Sequence, residues 1–265
     1  MKSSDPTPTT PLLLERHGPI ATLRFNRPEA LNAIDVPMAR AFLAAVQTIA
    51  ADPGVRAVVL CGNGRGFMAG GDLATLRANP VQGAIDILTP LNQALPLLAQ
   101  MNAPVIAQVH GAAAGAGLSL MLMADYVIAA EGTKFNLAYI HLGTCCDVGA
   151  SWTLPRIVGE RKALEIALLG DAINTDDALR LGLVNRVVPA AELQAATTAL
   201  AERLADGPTL AYGAMKRLVR QSWNRSLPEQ LAAEAQAFVE CAGTADFRAG
   251  VDAFHVRQAA QFKGL

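Results

Sequence analysis

The sequence predicts an α/β domain with parallel strands, followed by a helical C-terminal region. Three observations predict it. The short apolar runs "VRAVVLCG" and "APVIAQVHG" end in glycine and read as fully buried strands. Each leads into a small-residue loop and then a helical segment, so the loops fall at the carboxyl ends of strands. From Gly159 onward the texture is nearly all helix. The length of 265 residues suits one large domain, or one domain with a helical appendage.

The elements follow in order. Residues 1–11, "MKSSDPTPTTP", have a lysine with no apolar run behind it, so they read as a disordered tail and not a secretory signal. "LLLERHGPIATLRFN" reads as a hairpin about a His-Gly-Pro turn, and "NRPEALNAI" as a loop. "VPMARAFLAAVQTIAAD" carries Met38, Phe42, Ala45, Val46 and Ile49 at helical spacing. "VRAVVLCG" is a buried strand, and "NGRGFMAGGDL" is a glycine-rich loop. "PLNQALPLLAQM" reads as a helix broken or bent at Pro96. "APVIAQVHG" repeats the buried strand, "AAAGAGLSLMLMA" is a small-residue loop entering an apolar helix, and "DYVIAA" is another strand. "ERKALEIALLG", "TDDALRLGLV", "AELQAATTALAERLAD", "TLAYGAMKRLV" and "LPEQLAAEAQAFVECAG" are helices. This gives a core over 12–200 and a helical region over 201–265 with the composition of a layer that packs on a neighbouring subunit.

Composition excludes several classes. With 22 basic and 23 acidic residues the net charge is −1, so no strong field draws the chain to nucleic acid or an anionic membrane. No uncharged apolar run reaches the length of a membrane span, about 18 residues. Cys61, Cys145, Cys146 and Cys241 form no CxxC pair, and His17, His110, His141 and His255 form no metal-binding spacing. Free thiols in a reducing cytoplasm are the expectation, with no metal.

"GRGFMAGGDL" and "HGAAAGAGLSL" lie about 45 residues apart, each after a buried strand. Small residues let a ligand approach backbone N–H groups closely. An N–H at a helix start has no intrahelical acceptor and sits at the positive end of the dipole. Two such groups converging on one point make an oxyanion hole. Neither loop has the GxxxxGK[ST] or GxGxxG spacing of a phosphate loop. Either loop alone also reads as tight strand-to-helix packing.

"NRPEALNAI", "GRGFMAGGDL", "HGAAAGAGLSLMLMADYVIAAEGTKF", "LPRIVG" and "GLVNRVV", in this order, strongly resemble the crotonase (enoyl-CoA hydratase/isomerase) superfamily from about Leu13 to Lys263. The resemblance implies a crotonase-like spiral of ββα units with a helical C-terminal trimerisation region. It implies an acyl-CoA thioester substrate, no separate cofactor, and a homotrimer or dimer of trimers. By motif match the oxyanion N–H groups fall on Ala69 and Ala116, and the CoA strip on Arg27, Ala30, Leu31 and the loop Ala69, Gly70, Gly71 and Asp72. Arg27 and Arg65 are candidate phosphate partners. A wall of the acyl pocket is expected from "TPLNQALPLLAQ" and the C-terminal helices.

The family's hydratases use two glutamates, and the matching positions here hold Ser119 and Tyr139. Hydration without that pair loses its base and proton donor, each typically worth about 10²–10⁴ in rate. Asp147, in "CCDVGASWTLPRIVG", matches the place of the catalytic aspartate in single-aspartate enoyl-CoA isomerases. Asp147 is also readable as the N-cap of a helix starting near Val148. The expected chemistry is a 1,3-proton shift by Asp147 through a thioester enolate. A hydratase, another water-using member and a silent CoA-binding member are the alternatives.

Overall fold

In the computed structural model, residues 10–265 are described. The tail expected over 1–11 lies outside them except for its last two residues. Those two are tied down: the carbonyls of Thr10 and Pro11 accept from the Asn26 side chain and backbone N–H, at 3.0 and 2.8 Å.

The hairpin forms as β1 (Leu12–His17) and β2 (Ile20–Phe25), paired antiparallel around Gly18 and Pro19. Helix α1 (Val36–Ala51) follows, capped by Asp35, whose carboxylate accepts from the Met38 N–H at 2.9 Å. All five residues expected on its apolar stripe are buried. Strand β3 (Ala57–Gly62) is buried along its whole length. Two helices come next, α2 (Leu73–Ala78) and α3 (Pro80–Gln100). Then come β4 (Val105–Val109), β5 (Ala112–Ala114), α4 (Ala116–Leu122), β6 (Tyr126–Ala130), β7 (Lys134–Asn136), a 3-10 turn over Ala138–Leu142, and α5 (Ala150–Val158). The chain continues through α6 (Glu160–Leu169), α7 (Thr175–Arg180), β8 (Arg186–Val188), α8 (Leu193–Ala205), α9 (Thr209–Gln221), α10 (Leu227–Ala242) and α11 (Ala245–His255).

The main sheet has the order β1-β2-β3-β4-β6-β8, parallel from β2 onward. Alternation along β3 divides its side chains between two layers. Val58 and Leu60 join the large core with Phe25 and Phe42, and Ala57, Val59 and Cys61 pack under Ala201 and Ala205 of α8. A second layer crosses from turn to turn of the spiral. Ile34 bridges Gly71, Met68 bridges Ala113, β5 pairs with β7, and Phe135 bridges Ile173. Each main-sheet strand from β2 to β6 thus hands the chain to a second-layer segment before the next helix, which is the expected ββα spiral. Among the described residues no helix is long and apolar enough to cross a membrane.

Three expectations need correction. The helix expected to break at Pro96 starts ten residues before the quoted segment and runs on through Pro90 and Pro96. Each proline removes one backbone donor at a cost of about 3 kcal/mol. Ile87, Leu91, Ala94, Leu95 and Leu98 are buried along α3, which packs against α1, and that burial offsets the loss. Ala112–Ala114 is a strand and not a loop, because Met68 and β7 pair on either side of it. The region after Gly159 is nearly all helix, as expected, apart from the three residues of β8, which completes the sheet beside β6. The division at 200/201 falls inside α8, which is packed on the sheet by Ala201 and Ala205.

Candidate active site

The first glycine loop is held from below by Asn32, fully buried in the "NRPEALNAI" segment. Its Nδ2 donates to the carbonyls of Asn63 and Gly66, both at 2.9 Å, and of Phe67 at 3.2 Å, and its Oδ1 accepts from the Arg27 N–H at 2.9 Å. Leu31 and Asn32 both take left-handed backbone conformations, φ +49° and +58°, to turn the chain toward the loop. The Arg27 guanidinium bridges two carboxylates, Asp35 at 3.3 Å and Asp72 at 3.0 Å. Asp72 also caps α2, accepting from the Thr75 N–H at 3.0 Å. That N–H, opposed by burial and helped by Arg27, holds the Asp72 carboxyl below its ordinary value.

The two glycine loops meet. A Cβ built on Gly70, φ +108°, would stand 3.2 Å from the Ala114 carbonyl and 3.6 Å from the Ala116 nitrogen. A Cβ on Gly117 would run into the Met68 carbonyl, so only glycine lets α4 begin this close to the loop.

The N–H groups divide clearly. Ala69, expected as an oxyanion donor, already donates to the Leu31 carbonyl at 3.0 Å. That expectation is corrected: the Ala69 N–H is consumed in joining the two segments. The pairing with Ile34 uses the Gly70 carbonyl and the Asp72 N–H, at 2.8 and 2.9 Å. Among the described residues the Gly71 N–H has no acceptor. Ala116 is the first residue of α4, where the helix itself supplies no acceptor, and its N–H is likewise without a partner.

Asp147 lies in the irregular segment between the 3-10 turn and α5. It does not cap α5: the N-cap is Gly149, and no side chain caps the helix. The Asp147 carboxylate instead accepts a hydrogen bond from the Tyr139 hydroxyl. The Tyr139 oxygen stands 3.0 Å from Ser119 Oγ, which also lies 3.2 Å from the Gly115 carbonyl. Counting protons fixes the order. Tyr139 has one hydrogen and gives it to Asp147, so the contact with Ser119 is a hydrogen bond only when Ser119 turns to it the single hydrogen that it otherwise donates to the Gly115 carbonyl. The positions of the two missing glutamates are therefore joined, through hydroxyls, to the one carboxylate that remains. Burial raises the Asp147 carboxyl above its ordinary value, and the Tyr139 bond partly opposes the rise. Burial, then the neighbouring Asp147 charge, pushes the Tyr139 phenol far up. Val148, next in the chain, is buried and β-branched yet has φ +52°, a conformation that costs of order 1–3 kcal/mol.

The remaining expected residues sort as follows. Ala30, Leu31, Gly70, Gly71 and Asp72 do come together as one strip, through the bonds from Ala69 to Leu31 and from Ile34 to Gly70. Arg27 lies beside it, with its guanidinium engaged by Asp35 and Asp72, so its charge is already balanced within the chain. Arg65 is exposed at the loop's tip. All four cysteines are free, and burial pushes the Cys61 thiol up to about 11. A cavity of about 400 Å³ abuts Tyr139 and Cys146. Leu137, Ile140, Ala167 and Leu168 line it, not residues 89–100. Sequence reasoning missed the Ser119–Tyr139–Asp147 connection and the roles of Asn32 and Asp35. The N-cap pattern before "VPM" was the one available signal for Asp35.

A parallel-sheet spiral with two N–H groups free of acceptors among the described residues, and a half-buried carboxylate linked through Tyr139 and Ser119 to the helix that carries one of them, defines an α/β protein with a candidate oxyanion-type site. Comparison with known proteins then gives the family. Residues 15–265 match the family model described as enoyl-CoA hydratase/isomerase. A "Probable enoyl-CoA hydratase" of Rhodobacter capsulatus is 36% identical over 245 residues, covering 92% of this chain and 95% of that one. The 1,2-epoxyphenylacetyl-CoA isomerase of Escherichia coli is 35% identical over 249 residues, with the same coverage, 92% and 95%. The crystal structure of an enoyl-CoA hydratase from Polaromonas superposes with a TM-score of 0.90 at 30% identity, covering 95% of this chain and 99% of that one. The chain belongs to the enoyl-CoA hydratase/isomerase family, the crotonase superfamily.

Proposed function

We propose that this chain is an enoyl-CoA isomerase that moves a carbon–carbon double bond by a 1,3-proton shift. The observation that carries the reading is the half-buried Asp147 carboxylate, held by Tyr139 where the hydratase pair is replaced by two hydroxyls. The thioester oxygen is received by the N–H groups of Gly71 and Ala116. Each such donor is worth roughly 3 kcal/mol once charge develops on that oxygen. Asp147 removes a proton from one carbon of the enoyl thioester, which leaves a dienolate with its charge on the thioester oxygen, and returns that proton to the carbon at the other end of the dienolate. Burial raises its pKa and strengthens it as a base. Tyr139 and Ser119 position the carboxylate and leave its second oxygen for the substrate. CoA enters as part of the substrate, held along the strip of residues 27–31 and 69–72, and no separate cofactor takes part. The active form is a homotrimer or dimer of trimers in the cytoplasm, with no nucleic-acid or membrane partner.

Addition of water is the competing reading, favoured by relatives named as hydratases. The test is to incubate the protein with 2-enoyl-, 3-enoyl- and dienoyl-CoA in D₂O and follow product mass. The expected result is double-bond migration or deuterium incorporation with no water added, abolished by Asp147→Asn. Water addition that survives in Asp147→Asn would sink the proposal.

A further inference from the structure

A second cavity, of about 440 Å³, lies between the main sheet and α8. It is separate from the candidate active site, whose Ala116 and Tyr139 belong to the core on the sheet's other face. The cavity exists because α8 meets the sheet through small residues. Thr197, Ala201 and Ala205 are the stripe it buries, and Ala201 and Ala205 pack on Ala57, Val59 and Cys61.

The floor carries polar groups that the chain does not pair. Strands buried on both faces are ordinarily apolar throughout, yet β2 and β4 turn Thr22 and Gln108 to this cavity. Gln108 is 7% exposed and Thr22 8%, and among the described residues neither side chain has a hydrogen-bond partner. A buried amide left unpaired is costly, so the Gln108 amide is available to a ligand. Arg24 pairs with Cys61 in register, and Gln108 comes one place after the Leu60–Ala107 pair, so the three share a row across the sheet. Arg24 gives Nε and Nη2 to Glu15, at 3.2 and 3.0 Å, which leaves the hydrogens of Nη1 free. The Cys61 thiol between them is neutral, pushed up to about 11 by burial.

The two ends of the cavity differ in charge. The Gly207 carbonyl accepts from Arg56, the residue before β3, at 2.7 Å, so the last turn of α8 lies over the amino ends of the strands. Glu202 and Asp206 line that end, beside His17 and Ile20. Both acids are exposed, and neither has an ion-pair partner among the described residues. Arg24 and Gln108 line the end where the strands finish. The four residues from Ile20 to Arg24 separate the ends by roughly 13 Å, less the reach of the side chains, which suits a ligand charged at both ends of a chain of about six atoms. Val59 and Ala201 line the stretch between, with the Thr22 hydroxyl. One end thus offers guanidinium and amide N–H groups, the middle is mainly apolar, and the other end offers two carboxylates.

We propose that this cavity binds a long-chain amino acid, with its carboxylate on Gln108 Nε2 and Arg24 Nη1, its methylenes along Val59 and Ala201, and its terminal cation between Glu202 and Asp206. Lysine, arginine and the ω-amino acids share that chemistry. A zwitterion the size of glycine does not span the two ends.

The test is titration calorimetry of the full chain with 6-aminohexanoate, L-lysine and L-arginine. Hexanoate and cadaverine run beside them, one carrying only the carboxylate and the other only cations. A two-ended ligand is expected to bind once per chain, and hexanoate and cadaverine at least about tenfold more weakly. Gln108→Leu removes the amide and weakens binding by about tenfold or more. Glu202→Gln and Asp206→Asn together, both at exposed positions, do the same from the other end. Should Gln108→Leu fail to fold, the exposed pair still decides. No binding of any two-ended ligand at millimolar concentration overturns the proposal and leaves the amide to water. So does hexanoate or cadaverine binding as tightly as 6-aminohexanoate, or an affinity unchanged in the exposed pair. Binding is read without acyl-CoA, so its failure leaves the isomerase reading untouched.

Discussion

The Tyr139 phenol donates its only hydrogen to the carboxylate of Asp147, eight residues further along the chain. The donor comes from the 3-10 turn, and the acceptor from the strained segment before α5. The bond stabilises the ionised carboxylate and fixes its direction.

Asp147→Asn is expected to lower kcat by about 10²–10⁴, the usual worth of a positioned base. It is also expected to stabilise the fold at neutral pH. Burial raises the folded carboxyl above its ordinary value of 3.8. The folded state therefore binds the proton more tightly than the unfolded chain, and stability falls as pH rises through the interval between the two values. Thermal melts of both proteins should differ at pH 7 and converge below about pH 3.

Tyr139→Phe removes the hydrogen bond that favours the charged form of Asp147. The acid limb of the kcat profile should move to higher pH, with KM little changed. Ser119→Ala should move it in the same direction by less, because Ser119 acts only through Tyr139. An unmoved limb in Tyr139→Phe would separate the phenol from the carboxylate's titration.

Ala116 occupies the first turn of α4, where proline is tolerated because its missing N–H has no intrahelical acceptor. Ala116→Pro deletes the candidate oxyanion donor and should lower kcat by about 10²–10³. Circular dichroism checks that the helix persists.

Asn32→Ala strands three carbonyls and one N–H in the interior. A loss of about 3 kcal/mol is expected from chemical denaturation. Activity should fall with it, since Asn32 holds the loop that carries Gly71.

Strands β3 and β4 were readable because they are short apolar runs closed by glycine, and α1 because its buried stripe has helical spacing. Strands β7 and β8 have three residues each, too few to carry a period, and exist because a neighbour pairs with them. Asp147 was legible as a candidate, but its partner was not. A tyrosine eight positions away signals nothing until the turn at Gly143 brings the two side chains together. The error at Ala69 has the same origin. Which N–H of the loop stays open depends on the Leu31 carbonyl, 38 residues away in the chain, and no local pattern records it.

The hydroxyl pair beside Asp147 has a stereochemical consequence. Burial and the neighbouring Asp147 charge hold the Tyr139 phenol neutral, and a serine hydroxyl does not ionise at ordinary pH, so in the proposed reaction neither acts as a second base. Removal and delivery then fall to one carboxylate, whose direction is fixed. The proposed shift would then be suprafacial: stereospecifically deuterated substrates, followed at both carbons, would show removal and delivery on the same face.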